Sequence, residues 1–456
     1  MLPSIFPVTS HTKFVGSGTT FVAIKGFVQN GMKYIPQAID MGANKIVFSN
    51  EIEFKKILKK LELNKYKLDK IKFIKVKNAR KALAKLAAKK LNYPESKLKI
   101  IGVTGTKGKS TTVYLVEHIL KTNGYKTALI SSIKNKILDE EEIAINTTPE
   151  SDYIQMFLSR CVKKNVDYVV MEVSSHAIAL HRILGINFCF LGFTNLATEH
   201  MDFHTNMENY FYTKMKIFDQ IKKGGRIIIN VENYWGSKAL GILKKNKKKI
   251  NNQLITFDKS SLCKINTNSL IGQFNRYNIT MSFLICKNIG ISENDIKEAI
   301  KSFSGVPGRL QLHILKNKTK AFVDFAHNPS SMEAVLSELK KLTNNLIVVF
   351  GCGGNRDKTK RSIMGKIAEK YSNQIIITDD NPRLEKSKDI ANDILKDIQQ
   401  TENVYCEFDR KKAIKKAVEI STTNSIIAIL GKGHENYYLI GKKKLHHNDY
   451  EEICKY

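Results

Sequence analysis

Short apolar runs alternate with apolar residues at helical spacing along most of the chain, the pattern of an α/β protein. Residues 20–24 form a β-rich run, and Gly26 and Gly31 bracket a turn. Ile35, Ala38 and Ile39 then make a short helical stripe, and Gly42-Ala43-Asn44 turns into the apolar Ile46-Val47-Phe48. Over 78–91, Ala79, Ala82, Leu83, Leu86, Ala87 and Leu91 recur at helical spacing. Asn92-Tyr93-Pro94 stops that helix and marks a first linker. From Leu98 onwards, apolar strands at 100–103, 126–131, 168–173, 188–194 and 226–231 alternate with helical stretches. That alternation predicts a mostly parallel sheet covered on both faces. Gly305-Val306-Pro307-Gly308-Arg309 marks a second boundary, after which strands resume at 321–325, 346–350, 375–378 and 426–430. Three domains are expected: a small α/β N-terminal domain over 1–95, a central domain over 96–304, and a Rossmann-like α/β C-terminal domain over 305–456.

Length and composition add bounds. At 456 residues, 42% hydrophobic and 26% charged, the chain can build several cores of an ordinary globular kind. No run approaches the roughly 18 apolar residues of a membrane helix, so no membrane insertion is expected. The opening MLPSIFPVTSHTKF has neither a basic nor an apolar signal region, and a cytoplasmic protein is expected. Seven cysteines without a CxxC pair suit reduced thiols. The net charge of +31 raises nucleic-acid binding, yet the lysines are dispersed, with only local runs such as 244–249. No nucleic-acid partner is expected. The charge instead favours attraction of an anionic substrate.

The chemistry concentrates at strand ends. The strand at 100–103 runs into TGTKGKS and then into a helix from Ser110. A strand, a glycine turn and a helix N-terminus make a phosphate cradle of backbone N–H groups. Gly105, Thr106, Lys107, Gly108, Lys109, Ser110 and Thr111 are the candidate ATP contacts. In this arrangement Lys109 reaches the β- and γ-phosphates and the Ser110 hydroxyl ligates Mg²⁺. The spacing departs from the common P-loop, because Val103 stands where the first glycine would fall. NTTPES (146–151), MEVSSH (171–176) and TNLATEHMDFH (194–204) follow at other strand ends or between elements. Magnesium takes hard oxygen ligands, and Glu172 and His200 are the best candidates beside Ser110. Lys214, in YFYTKMKIF, lies on an expected helix, where a plain lysine is usually solvated or binds phosphate. Further polar signatures are DFAHNPSS (324–331), GCGGNRDKTKR (351–361), DDNPR (379–383) and GKGHE (431–435). GKGHE lacks the Ser or Thr and the flanking helix of a second phosphate loop.

These motifs, with GQFNRYN (272–278) and GVPGR, occur in the order of the Mur ligase family, which the chain resembles from about residue 9 onwards. Within it they are most similar to the UDP-N-acetylmuramoyl-tripeptide synthetases. The resemblance implies a P-loop ATPase-like central domain and an ATP- and Mg²⁺-dependent amide ligase of cytoplasmic peptidoglycan synthesis. It further implies a monomer whose partners are small-molecule substrates. Such an enzyme phosphorylates the carboxylate of UDP-MurNAc-L-Ala-D-Glu and lets the amine of a third amino acid displace phosphate. Lys109, Glu172, His200 and Lys214 match its catalytic positions, and Ser110, Glu172, His200 and Lys214 its metal positions, with Lys214 as N6-carboxylysine. Asn278, Arg309, Asp324 and His327 match groups around the nucleotide. Thr12, Phe27, Val28, Gln29, Asn146, Thr147, Thr148, Ser174 and Arg182 match the UDP-MurNAc-dipeptide positions. Arg356, Asp380, Asn381, Pro382, Arg383, Gly431 and Glu435 match the amino-acid pocket. DNPR is the form that goes with meso-diaminopimelate, whose second carboxylate suits a forked guanidinium projecting from the sheet end. Two stretches depart: His11-Thr12-Lys13 stands where the family has Asp-Ser-Arg, and Leu180 stands where some relatives have a glutamine. An L-lysine-adding Mur ligase, folylpolyglutamate synthase and a basic nucleic-acid-binding P-loop ATPase are the alternatives. NTTPES, DNPR and GKGHE speak against the folate enzyme.

Overall fold

A computed structural model of the chain describes residues 2–27, 29–63, 68–245, 253–265, 267, 269–441 and 443–456. The chain divides into two compact units, Met1–Cys263 with Tyr277–Ala299, and Lys264–Arg276 with Ile300–Tyr456. The first unit holds two sheets. Its smaller sheet orders Val8–Thr9, Thr20–Val22, Lys45–Phe48 and Lys72–Lys75, all parallel. Successive residues of a strand face opposite sides. Accordingly, Phe21 and Ile46 join a core with Phe54 on one face, and Val22 and Val47 join Leu83 and Ala87 on the other. The helix Ala79–Lys90 supplies Leu83 and Ala87 and starts at Asn78, whose side chain accepts from the Lys81 N–H. Elements unread in the sequence include the helix Glu51–Leu63 and the strand Lys72–Lys75. Both are lysine-rich, and of the helix only Phe54 and Leu61 are buried.

The larger sheet of this unit has eight strands. In spatial order they are Gln253–Phe257, Ile221–Asn230, Phe188–Phe193, Lys99–Thr104, Tyr168–Glu172, Thr127–Ile130, Lys134–Ile137 and Glu140–Ile143. The first six are parallel, as the alternation of strands and helices predicts, and the last two form an antiparallel edge. The glycine loop leaves the carboxyl end of Lys99–Thr104, a central strand, where ligands of such sheets bind.

The second unit carries a six-stranded sheet. Its order is Gln311–Ile314, Lys320–Asp324, Ser425–Leu430, Asn345–Phe350, Gln374–Ile377 and Val404–Cys406, with only the first pair antiparallel. Ile426, Ala428 and Leu430 pack into one core while Ile427 and Ile429 pack into another, so both faces are covered. A hairpin, Tyr437–Ile440 with Lys443–His446, follows the main sheet. All seven cysteines are free thiols. Among the described residues no helix is long and apolar enough to cross a membrane.

Candidate active site

The glycine loop is clamped from the strand beside it. Gly105 has φ +145°, and a Cβ there would lie 2.0 Å from Thr194 Oγ1. Asn195 Oδ1 accepts from the Lys107 N–H at 2.9 Å, and Asn195 O accepts from the Thr106 N–H at 2.9 Å. Thr194 Oγ1 donates to the Lys107 carbonyl at 2.7 Å, and Thr106 Oγ1 lies 3.1 Å from the Tyr210 hydroxyl. Gly108, φ +84°, opens the helix Lys109–Thr122, and no side chain caps that end. The first helical N–H groups are unbonded within the helix, so this geometry favours an anion. Asn278 is brought onto the loop: a Cβ on Gly108 would be 2.2 Å from its Oδ1. Ser110 and Thr111 are buried in the first turn.

Two lysine amines meet at one carbonyl. Lys109 Nζ donates to Gly105 O at 3.1 Å and to Thr106 O at 2.7 Å, folded back along the loop rather than extended. Lys214 Nζ, from the helix Met207–Met215, donates to the same Gly105 O at 2.8 Å. Lys214 is 1% exposed and sits over the Tyr210 ring at 4.7 Å. Burial first, and the Lys109 charge second, push its amine well below the ordinary lysine value. The neutral form is thereby favoured, and a neutral amine is the form that takes up carbon dioxide. Lys216, two residues on, is exposed.

Ser132, which sequence reading missed, joins two predicted ligands. Its N–H and hydroxyl donate to Glu172 Oε1 at 2.9 and 3.2 Å, and its Oγ lies 3.1 Å from Ser110 Oγ. Glu172 is buried at the end of the strand Tyr168–Glu172. His200, in the left-handed region with φ +60°, has Nε2 3.8 Å from Glu199 Oε2 and its ring 4.7 Å from His176. Burial lowers the His200 pKa, against the pull of Glu199. Among the described residues no three His, Cys, Asp or Glu side chains gather closely enough to hold a metal unaided. The hydroxyl and carboxylate that do converge are hard oxygen donors. They suit magnesium, which takes one or two carboxylates and completes its shell with phosphate and water. Lys214 as a plain amine adds no oxygen to that set.

Thr148 organises the expected peptide site. It donates to the Glu172 carbonyl at 2.8 Å, accepts from the Ser174 N–H at 3.1 Å, and its own carbonyl accepts from Arg182 Nη1 at 2.8 Å. Thr147 is half-buried and Asn146 exposed beside it. A cavity of about 470 Å³ is lined by Thr12 and Gln29, two of the residues matched to the nucleotide-dipeptide, and also by His11, Tyr34, Arg80 and Glu150. Phe27 is 78% exposed, and its ring meets that of Phe203 edge-on at 5.5 Å. Val28 lies outside the described residues.

In the second unit, Asp324 closes its strand and accepts from the Leu310 and Ala326 N–H groups at 2.7 and 2.8 Å. Arg309 lies over the Phe325 ring at 4.8 Å, and His327 Nδ1 is 2.9 Å from the Phe325 carbonyl. Asp380, Asn381, Pro382, Arg383, Gly431 and Glu435 follow the ends of Gln374–Ile377 and Ser425–Leu430, the strands on either side of Asn345–Phe350. Asn381 Nδ2 donates to Asp380 Oδ1 at 3.0 Å and to Glu435 Oε2 at 3.2 Å. A Cβ on Gly431 would be 2.7 Å from Asp380 Oδ2, and Pro382 O presses on Gly354. Arg356 is exposed on the adjoining loop. Arg383 departs from expectation. Its backbone has φ +53°, and its Nη1 donates to Gly354 O at 2.9 Å and Asn381 O at 3.3 Å. The guanidinium lies along the loop rather than projecting from the sheet, because two carbonyls hold it there. Two buried cations went unread. Lys432, fully buried, donates to Glu435 Oε2 at 2.9 Å. Arg410 donates to the carbonyls of Asp379 and Leu430 and pairs with Asp449, so it fixes the two strand ends that precede Asp380 and Gly431. The partners of Arg410 are distant in sequence, whereas Glu435 lies three residues from Lys432.

Three family descriptions match in order: Mur ligase family, catalytic domain, over residues 7–91; Mur ligase middle domain over 103–286; and Mur ligase, glutamate ligase domain, over 308–433. A UDP-N-acetylmuramoyl-L-alanyl-D-glutamate–2,6-diaminopimelate ligase of Clostridium acetobutylicum is 38% identical, over 96% of this chain and 91% of that protein. The enzyme of the same description from Fusobacterium nucleatum is 36% identical, over 94% and 89%. A solved structure of a ligase so described has a TM-score of 0.66 at 24% identity, covering 99% of this chain and 94% of its own, and shares the fold. From the glycine loop through to GKGHE, the chain belongs to the Mur ligase family.

Proposed function

We infer that this chain is the ATP-dependent ligase that joins meso-diaminopimelate to UDP-N-acetylmuramoyl-L-alanyl-D-glutamate. The observation that carries the reading is the convergence at Gly105, where a clamped glycine loop, Lys109 and the buried Lys214 meet. The relatives described as ligases of this kind support the choice of substrates. The γ-phosphoryl group of ATP passes to the substrate carboxylate, giving an acyl phosphate and ADP. The amine of diaminopimelate attacks the acyl carbon, and phosphate leaves from the tetrahedral intermediate. A carboxylate is a poor electrophile until one oxygen becomes a good leaving group, so the protein's task is positioning and neutralising spreading charge.

In this reading Gly105 to Thr111 and Asn278, with Arg309, Asp324 and His327, hold ATP. Thr12, Phe27, Val28, Gln29, Asn146, Thr147, Thr148, Ser174 and Arg182 hold the nucleotide-dipeptide. Ser110, Glu172, His200 and a carbamylated Lys214 would hold Mg²⁺, which when bound supplies charge neutralisation at the phosphates. The segments 1–95, 96–304 and 305–456 serve the UDP end of the nucleotide substrate, ATP with the dipeptide, and the incoming amino acid respectively. The enzyme acts in the cytoplasm as a monomer, without nucleic acid. Phosphate release should require the nucleotide-dipeptide, ATP and the amino acid together. Release that is indifferent to the dipeptide substrate, or is stimulated by DNA, contradicts the reading.

Specificity for the amino acid is assigned to Arg383 with Asp380, Asn381, Glu435 and Arg356. Diaminopimelate differs from lysine by a carboxylate far from the reacting amine. A guanidinium already fixed by two carbonyls can form a forked pair with it, and is left unpaired by lysine. A hydrogen bond to a charged group contributes about 1.5–3 kcal/mol. Arg383→Ala should therefore raise KM for meso-diaminopimelate about ten- to hundredfold and leave KM for ATP within about twofold. Arg383→Lys should not restore it, because an ammonium cannot fork. Steady-state kinetics with each substrate varied in turn checks this. An unchanged KM in Arg383→Ala removes the assignment.

A further inference from the structure

The segment that follows Thr148 carries two carboxylates, and each reaches a different element of the N-terminal part. Asp152 is fully buried, and its Oδ2 accepts from Thr9 Oγ1 at 2.8 Å and from the Ser10 N–H at 2.9 Å. Glu150 Oε1 lies 2.9 Å from Arg182 Nη2, and its Oε2 lies 3.5 Å from Arg80 Nη1. Arg80 comes from the helix Ala79–Lys90, and both Arg80 and Glu150 line the 470 Å³ cavity. Arg182 in turn holds the Thr148 carbonyl through Nη1. A continuous chain of charged contacts thus runs from the cavity wall, through Glu150, to the loop bearing Thr147 and Thr148.

The chemistry of the chain is asymmetric. Two guanidiniums this close repel each other, and the carboxylate between them offsets that repulsion; burial first, and the Arg182 charge after it, lower the Arg80 pKa, and Glu150 raises it. With Glu150 in place the three groups sum to one positive charge, divided between the cavity and the loop. Without it, Arg80 loses this carboxylate, and Arg182 keeps the Thr148 carbonyl but loses its tie to Arg80.

We propose that Glu150 is a positioning residue that holds Arg80 on the cavity wall and Arg182 on the Thr148 loop, so that a substrate anionic at both ends is gripped by one electrostatic unit. This rests on the reading of the substrate as UDP-MurNAc-L-Ala-D-Glu, which carries phosphates at one end and carboxylates at the other. Neither Glu150 nor Arg80 touches the reacting atoms, so the effect is on binding.

The test compares Glu150→Gln, Arg80→Met and the double variant in the full-length protein, with calorimetric binding of UDP-MurNAc-L-Ala-D-Glu alongside steady-state kinetics. Glu150→Gln should weaken binding of the nucleotide-dipeptide and raise its KM about tenfold or more, with kcat and KM for ATP within about twofold. Arg80→Met should weaken it in the same direction. The double variant should be no worse than the poorer single one, since both remove the same linkage. Equal affinity in wild type and Glu150→Gln overturns the proposal, as does a double variant whose losses multiply. An equal rise in KM for ATP overturns it too, because that marks general damage to the fold. If Glu150→Gln does not fold, Arg80→Met alone decides: its KM for the nucleotide-dipeptide must rise while KM for ATP does not. Wild-type protein that fails to bind the nucleotide-dipeptide overturns both this proposal and the assigned function, whereas tight wild-type binding with an indifferent Glu150→Gln overturns only this one.

Discussion

Lys109→Ala is expected to lower the rate of ligation by about 10²–10³ while leaving the protein folded. Lys109 stands at the start of the helix Lys109–Thr122, and its amine lies against the Gly105 and Thr106 carbonyls, on the loop that the phosphates should occupy. The transferring phosphoryl group spreads negative charge over its oxygens, and a cation fixed beside it costs no reorganisation at the moment of reaction. Alanine is a good helix former, and the clamp on the loop runs through Thr194 and Asn195 rather than Lys109. The thermal midpoint should therefore barely move. Initial rates of ADP formation and a melting curve check the two halves separately. Activity within a factor of two of wild type would remove Lys109 from the phosphate site.

The second large effect is expected at Lys214. Lys214→Ala should be nearly inactive and should regain part of its activity when short carboxylates are added. Burial first, and the neighbouring Lys109 second, push the Lys214 amine well below the ordinary lysine value, and its Nζ shares the Gly105 carbonyl with Lys109. A carbamate on that nitrogen places an anion beside the Lys109 cation. A formate or acetate ion supplies the carboxylate that the carbamate would have carried. Lys216→Ala, at an exposed position on the same stretch, should be almost silent. Loss at 216 with retention at 214 would place the modified residue wrongly.

What the sequence made legible was local. A strand, a glycine turn and a helix follow one another within the stretch around residues 99–115, so this arrangement could be read from the order of elements although the spacing is not the common one. The central strands were legible because both faces are buried, which leaves uninterrupted apolar runs such as Tyr168–Glu172 and Ser425–Leu430. The hairpin Tyr437–Ile440 with Lys443–His446 was not, since its residues are half-exposed and lysine-rich. The resemblance named Lys214, but its burial is a tertiary fact, because Lys214 and Lys216 look alike in the sequence and differ only in what packs over them. The same holds for Glu150, which reads as a helix-start carboxylate until the fold brings Arg80 to it. Arg383 shows the reverse: its place in the motif was legible, and its orientation along the loop depends on the carbonyls of Gly354 and Asn381.

One measurement bears most directly on the central claim. Purified protein is given UDP-MurNAc-L-Ala-D-Glu, ATP and Mg²⁺, with meso-diaminopimelate, with L-lysine, or with no amino acid. Phosphate release and the mass of the nucleotide product are followed together. Phosphate release coupled to a product heavier by one diaminopimelate residue, with little turnover for L-lysine and none without amino acid, is the predicted result. Equal or preferred incorporation of L-lysine, or phosphate release with no change in the mass of the nucleotide, would contradict it.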